Sequence, residues 1–292
     1  MSTQNTLEDL TITVIAEDSV QYESPYLGQH GISILMQTRK DTCSKNVLMD
    51  VAQNPEALLE NMDKMGIPPA CIDAIVLTHC HYDHTQGISR VLQTIGKRDV
   101  PVIAHPELFR PHFIQDPELR HIGVMDGDGP AEIEASGGRL FLSRDCLQIT
   151  PGLCTTGEVT RQTDFEEVGM SLFTLRDGRL EPDPVLDDIT VIADVDGKGL
   201  VIVTGCSHAG IVNICHQAVA LTGTKKIHGI IGGFHLIEAS AQRIKETVQE
   251  LKKFDPAWIA AGHCTGFKAQ TALYTTFKER FTPLQTGMVL NV

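Results

Sequence analysis

The chain has 292 residues, with 24 Lys and Arg against 37 Asp and Glu and a net charge of -13. That balance argues against nucleic acid as the main partner, because a negative surface repels a phosphate backbone and no basic run exceeds pairs such as Lys225-Lys226 or Lys252-Lys253. No apolar run is long enough to cross a bilayer, and Met1-Ser-Thr-Gln-Asn-Thr-Leu-Glu-Asp-Leu lacks the basic and apolar regions of a secretory signal. The expectation is a cytoplasmic protein that engages neither membrane nor nucleic acid. The eight cysteines form no disulfide-like framework, and a chain of this length can bury a core without one.

In chain order, residues 10–16, 31–38 and 46–51 read as strands, rich in β-branched and apolar side chains. Asn54-Pro55 supplies a cap and a first-turn proline for a helix through Lys64, which stops at Gly66 before Pro68-Pro69. Residues 74–78 make a short buried strand, and 88–95 carry a helical apolar pattern. Residues 101–104 form another strand. From 105 to 161 the pattern is less regular, broken by Asp126-Gly-Asp-Gly-Pro and Ser136-Gly-Gly, and an insertion or lid is expected there within a single domain spanning 1–292. Residues 171–175 suggest a strand, 188–193 and 199–204 flank the hairpin signal Asp196-Gly197, and a last strand is expected near 285–290.

Between the strand at 74–78 and the helix at 88–95 stands Thr78-His-Cys-His-Tyr-Asp-His-Thr-Gln-Gly. Four metal-ligand side chains, His79, His81, Asp83 and His84, fall within six residues. In an extended segment alternate side chains share a side, so His79, His81 and Asp83 can converge while His84 leaves the other way as the helix begins. Imidazole nitrogen and carboxylate oxygen suit zinc, iron and manganese. Zinc is the first expectation.

The last third repeats a strand-then-helix unit three times, and each turn carries a histidine: Gly205-Cys-Ser-His208-Ala-Gly, Gly232-Gly-Phe-His235-Leu and Gly262-His263-Cys-Thr-Gly. Glycine-rich turns at strand ends commonly hold ligands and catalytic groups. His208 and His263 read as metal ligands, and His235 as a proton-transfer or oxyanion residue. His30, His105, His112, His121, His216 and His228 lack such a setting and read as structural.

The Thr78-to-His84 motif resembles the HxHxDH signature of the metallo-β-lactamase superfamily, Asp50 resembles that family's early aspartate, and Gly262-His263 its late histidine. The resemblance implies a four-layer αββα sandwich, two β-sheets flanked by helices, over nearly the whole chain. Thr155-Thr-Gly-Glu-Val-Thr-Arg, Asp187-Asp188, Gly205-Cys-Ser-His-Ala-Gly-Ile-Val-Asn and Gly232-Gly-Phe-His-Leu are similar to the branch named for 7,8-dihydropterin-6-methyl-4-(β-D-ribofuranosyl)aminobenzene-5′-phosphate synthase. Two departures matter. Thr150-Pro-Gly-Leu-Cys lacks the histidine of the glyoxalase-like TPGHT segment, and Gly205-Cys206 replaces the Gly-Asp whose carboxylate bridges two metals.

What the resemblance implies is therefore a pair of divalent metals, one on His79, His81 and His208, the other on Asp83, His84 and His263. Cys206, a carboxylate such as Asp187 or Asp188, or a hydroxide alone is left as the bridge. A metal lowers the pKa of bound water to about 7 and so makes hydroxide at neutral pH. The leading expectation is a hydrolase of a small phosphoester, ester or lactone, with Asp83 and His235 as catalytic residues and Arg161 beside Glu158 binding a substrate phosphate. Two alternatives stand beside it: a pterin-arylamine transferase displacing pyrophosphate, and a non-catalytic or redox-sensing di-metal protein acting through Cys80, Cys206 or Cys264. The partner in each enzymatic case is a small molecule, and homo-oligomer formation is left open.

Overall fold

The computed structural model describes residues 6–292. The first of two seven-stranded sheets contains β1 (Asp9–Ala16), β2 (Ser33–Lys40), β3 (Cys43–Met49), β4 (Ala74–Val76), β5 (Val100–Ala104), β8 (Gly138–Leu142) and β18 (Val289–Asn291), in the order β18-β1-β2-β3-β4-β5-β8. The second contains β9 (Gln148–Thr150), β10 (Leu153–Thr155), β13 (Val191–Val195), β14 (Gly199–Thr204), β15 (Ile227–Gly233), β16 (Trp258–Gly262) and β17 (Phe281–Pro283), in the order β17-β16-β15-β14-β13-β10-β9. The run from β3 through β4 and β5 to β8 is parallel, as is the run from β14 to β17. Ligand sites in such sheets form beyond the carboxyl ends of parallel strands.

The two sheets pack face to face through alternate side chains. Ile12, Val14, Ile34, Met49 and Val76 of one meet Val191, Val201, Val203, Ile231 and Ala260 of the other. The intervening residues point outward into helices. Leu35, Leu48, Ile75 and Val102 pack under α1 (Pro55–Lys64) and α3 (Ile88–Ile95). Ile192, Ile202, Ile230 and Ile259 pack under α5 (Ile211–Thr222), α6 (Ala241–Phe254) and α7 (Gly266–Phe277). Burial on both faces explains why these strands read as unbroken apolar runs. The result is the expected αββα sandwich. The Asn54 cap falls where the sequence puts it, accepting from the Glu56 and Ala57 amides with Pro55 in the first turn, and Ser240 caps α6 by accepting from the Arg243 amide.

A third, four-stranded sheet lies outside the sandwich. It comprises β6 (His112–Gln115), β7 (Leu119–His121), β11 (Leu172–Arg176) and β12 (Arg179–Pro182), in the order β12-β11-β6-β7. Ile114, Ile122, Leu172 and Val185 form its small core, which rests on Tyr82 and Met170. Arg110 anchors its root, with ion pairs of 2.6 Å to Asp183 and 2.8 Å to Asp187. The irregular stretch at 105–161 thus divides: 112–121 joins this outer sheet, while α4 (Pro130–Ala135) and β8 to β10 belong to the sandwich. The other half of the outer sheet comes from 172–182. The last strand begins later than expected, because Gly287 turns the chain at φ +89° and only Val289–Asn291 pairs with β1. No helix among the described residues is long and apolar enough to cross a membrane.

Asn61, fully buried on α1, ties down the long loop between β1 and β2. Its side chain accepts from the Leu27 amide at 2.8 Å and donates to the carbonyls of Ile15 and Leu27 at 2.9 and 2.8 Å. Asn61→Ala leaves these buried backbone groups unpaired and is expected to lower unfolding free energy by about 2–4 kcal/mol, read by urea denaturation. A loss within about 0.5 kcal/mol would show that the loop is held by other contacts.

Candidate metal centre

Both sheets deliver their parallel-strand ends to the same place. From the first come Asp50 after β3 and the 78–84 loop after β4; from the second come Cys206 and His208 after β14, His235 after β15 and His263 after β16. The alternation expected through Asp83 stops at His81, because Tyr82–Thr85 forms a short helix, α2. His84 consequently turns into the site rather than away from it, its ring 4.2 Å from that of His79.

The donors fall into two groups. The rings of His79, His81 and His208 lie 4.6–4.8 Å apart, centroid to centroid. Asp83 Oδ2 lies 3.2 Å from His263 Nε2 and 3.5 Å from His84 Nε2, and the rings of His84 and His263 are 5.2 Å apart. Cys206 stands between the groups. Its Sγ is 3.2 Å from His84 Nε2, and ligand atoms of His79, Cys206 and His208 lie within 4.8 Å of one another, as do those of His84, Cys206 and His263.

Hydrogen bonds on the outer side of four of the five imidazoles, those of His79, His81, His84 and His263, orient them. Asp50 accepts from the Thr78 amide and hydroxyl, each at 2.7 Å, and its Oδ2 also faces His84 Nδ1 at 2.7 Å. Thr78 Oγ1, having given its proton to Asp50, is left to accept from His79 Nδ1 at 3.1 Å. His263 Nδ1 meets Asp18 Oδ2 at 2.6 Å. His81 Nε2 meets His112 Nε2 at 2.9 Å, and His112 Nδ1 meets Asp183 Oδ2 at 2.7 Å. With protons assigned by this network, each outer nitrogen donates and the other keeps its lone pair for the centre. His79 Nε2 is buried without a partner, and so are both ring nitrogens of His208. Buried polar atoms are rarely left so. Orphaned, inward-facing imidazoles beside a carboxylate fit a divalent metal centre.

The electrostatics of the first donor group agree with that fit, whereas against burial Cys264, Asp18 and Asp83 hold His263 well above the usual histidine range. Burial pushes His79, His81 and His208 well below the usual histidine range, and the neighbouring imidazoles add to the effect. These rings are neutral and able to coordinate. Burial opposes ionisation of Asp83, but His84 and His263 outweigh it and hold the carboxyl well below its ordinary range. Asp188 is pushed up to about 7 by burial, against the Ala209 amide it accepts from and with Asp187 nearby. Its Oδ1 is buried and unpartnered.

Glycine permits the close approach of the two sheet ends. A Cβ at Gly205 would sit 2.9 Å from Asp50 Oδ2 and still closer to Thr78 Oγ1. Asp187 accepts from the Cys80 amide at 2.8 Å and pairs with Arg110, so it braces the histidine loop rather than facing the centre. His235, at φ +44°, stacks 4.1 Å from His208 and lines a pocket of about 210 Å³ with Asp83, His263 and Cys206.

Two expected substrate residues lie elsewhere. Arg161 donates to the carbonyls of Pro184 and Val185, and Glu158 pairs with Arg144 at 2.7 Å and His105 at 3.4 Å; neither lines this pocket. Conversely, His112, Asp18 and His30 stand against the donor side chains although no local motif marks them. His30 meets Asp18 Oδ1 at 3.0 Å and Asp83 Oδ2 at 3.5 Å. His30 and His112 had read as structural, and only their positions in space reveal otherwise.

The fold and site define a metallo-β-lactamase-like protein. A family model described as beta-lactamase superfamily domain matches residues 45–135. The chain is 39% identical over 287 residues, 97% of each chain, to 7,8-dihydropterin-6-methyl-4-(beta-D-ribofuranosyl)-aminobenzene-5'-phosphate synthase of Methanocaldococcus jannaschii. It is 34% identical over 267 residues to an uncharacterized protein of the same organism, covering 89% of this chain and 92% of that one. A solved structure, Tm1679, described as a metal-dependent hydrolase of the beta-lactamase superfamily, superposes with a TM-score of 0.81 at 24% identity, covering 97% of this chain and 99% of that one. The chain belongs to the metallo-β-lactamase superfamily, in the branch that includes the methanogen synthase.

His81→Ala and His263→Ala are expected to lower metal content, measured by elemental analysis, while circular dichroism stays that of the parent. Asp50→Asn keeps the volume but disturbs the acceptor for Thr78 and His84, and a metal-affinity loss of about 10–100-fold is expected. Full occupancy in all three would remove the assignment.

Proposed function

We propose that this chain is a dinuclear metal-dependent hydrolase of a small phosphoester, ester or lactone. The observation that carries the reading is the pair of inward-facing donor groups flanking Cys206 at the floor of one small pocket. His79, His81 and His208 would hold one ion, and Asp83, His84 and His263 the other. Zinc is favoured, since imidazole and carboxylate are its usual donors, with iron or manganese as alternatives. When bound, the metals supply Lewis-acid activation of water and of the scissile group.

The remaining work falls to the chain. Asp50, Asp18 and the His112–Asp183 pair hold the ligand imidazoles in one tautomer and orientation. Cys206, close to both donor groups, would be the thiolate shared between them, with Asp188 Oδ1 buried and unpartnered nearby. Asp83 holds a proton-accepting carboxylate at the pocket floor. His235 faces the pocket with Nδ1 unpartnered, and its Nε2 lies 3.1 Å from Met170 Sδ. A sulfur is a weak acceptor, so this imidazole can exchange it for substrate and deliver a proton to a leaving oxygen. The outer sheet covers the site and limits water.

The 39% identity to the methanogen synthase favours a second reading, transfer of a pterin to an arylamine with pyrophosphate displaced. The same donor set serves either reaction. Metal-loaded protein is to be assayed with bis(4-nitrophenyl) phosphate, 4-nitrophenyl acetate and a γ-lactone, and separately for pyrophosphate release from a pterin pyrophosphate with and without an arylamine. The hydrolase reading expects turnover of at least one member of the first panel, lost on chelation and restored by metal. Pyrophosphate release only when both cosubstrates are present, with no hydrolysis, would replace it by the transferase. His235→Gln is expected to lower turnover by about 10²–10⁴-fold with metal content unchanged.

A further inference from the structure

The outer sheet brings an arginine to the pocket that neither the motifs nor the metal shell account for. Arg120 sits on β7, directly opposite Ile114 of β6 in the antiparallel register. Cross-strand partners point to the same face. Ile114 turns into the small core of the outer sheet and lines the pocket, so Arg120 is carried to the same side. Its strand neighbour His121 faces away and stacks on Phe113, with ring centroids 5.5 Å apart. The pocket that Arg120 lines is the one walled by His235, Asp83 and His263.

Other arginines near the site are already engaged. Arg110 is locked between Asp183 and Asp187, Arg144 between Glu107 and Glu158, and Arg161 on two loop carbonyls. The Arg120 side chain makes no hydrogen bond or ion pair with any described residue, and among the described residues it is the one Lys or Arg lining this pocket. Its guanidinium is a planar fork suited to phosphate or carboxylate. Beside it Ile122, Met170, Ile237 and Tyr82 give an apolar wall. A ligand that satisfies both carries an anionic group and an apolar body.

We propose that Arg120, carried on the outer sheet, is the residue that recognises an anionic group of the substrate and seats its apolar body against Ile122, Met170 and Ile237. This rests on the reading of the pocket as the substrate site of a metalloenzyme and assigns to that substrate a phosphate or carboxylate distinct from the bond that reacts. It also moves the anion contact from the Thr155–Arg161 segment to the outer sheet. Within the outer sheet, Arg120 stands on β7, the strand that carries none of the candidate metal ligands and neither His112 nor Asp183.

The test is calorimetric titration of the metal-loaded full chain, its Arg120→Ala and its Arg120→Lys variants with phenyl phosphate and with benzoate. Metal content and melting temperature are measured on the same samples. The expected result is binding of at least one anion by the parent, weakened about tenfold or more in Arg120→Ala and partly recovered in Arg120→Lys, with metal content unchanged. Preference between the two probes tells phosphate from carboxylate. Equal binding by parent and Arg120→Ala overturns the proposal. So does absence of binding of both anions to the parent, or loss of metal in Arg120→Ala, which would make the residue structural. The titration reads occupancy and not turnover: a chain that binds the anion through Arg120 yet hydrolyses nothing keeps this inference and loses the hydrolase reading.

Discussion

The site depends on one buried carboxylate. Asp50, at the end of β3 with φ +56°, takes two hydrogen bonds from Thr78 and faces His84. Through those three contacts it fixes both ends of the 78–84 loop at once, and through Thr78 it also orients His79. A fully buried, unpartnered carboxylate would cost several kcal/mol, so the loop has strong reason to adopt the one shape that satisfies it. Gly205 lets the second sheet come within van der Waals reach of the same group, which brings Cys206 and His208 up to the histidines. The strain of a left-handed aspartate is thus placed where it organises the donors.

From this constraint the rest of the architecture follows as support. Sandwich packing brings the carboxyl ends of two parallel runs to one edge, so that donor side chains separated by more than a hundred residues in sequence meet. The outer sheet acts from above. Its root is braced by Arg110, Asp183 and Asp187, and the same Asp183 reaches the centre through His112 and His81. The outer sheet and the donor cluster are therefore not independent. A change in how the outer sheet seats is felt by His81 through His112 and Asp183.

Much of this was legible in the sequence because it is local. The Thr78-to-His84 spacing, the Asn54-Pro55 cap, and the glycine-flanked His208, His235 and His263 each carry their meaning within a few residues. The parts that were not legible are non-local. His112 and Asp183 are 71 residues apart, and Asp18 lies 245 residues from His263. Nothing in the neighbourhood of His30 or His112 distinguishes them from a surface histidine until the sheets close. Arg161 shows the converse. Its motif setting suggested a phosphate contact, but the backbone carbonyls of Pro184 and Val185 claim the guanidinium. His84 shows how a period can mislead: strand alternation carried through Asp83 runs two residues too far, into the helix Tyr82–Thr85.

The central claim is that the two donor groups hold two metals about a shared Cys206. The most direct measurement is titration of metal-free protein with Co(II), followed by visible absorption and by the thiolate-to-metal band in the near ultraviolet. The account predicts two equivalents bound per chain, with a thiolate band in the parent that Cys206→Ser removes. Saturation at a single equivalent, with a spectrum indifferent to Cys206→Ser, would contradict it.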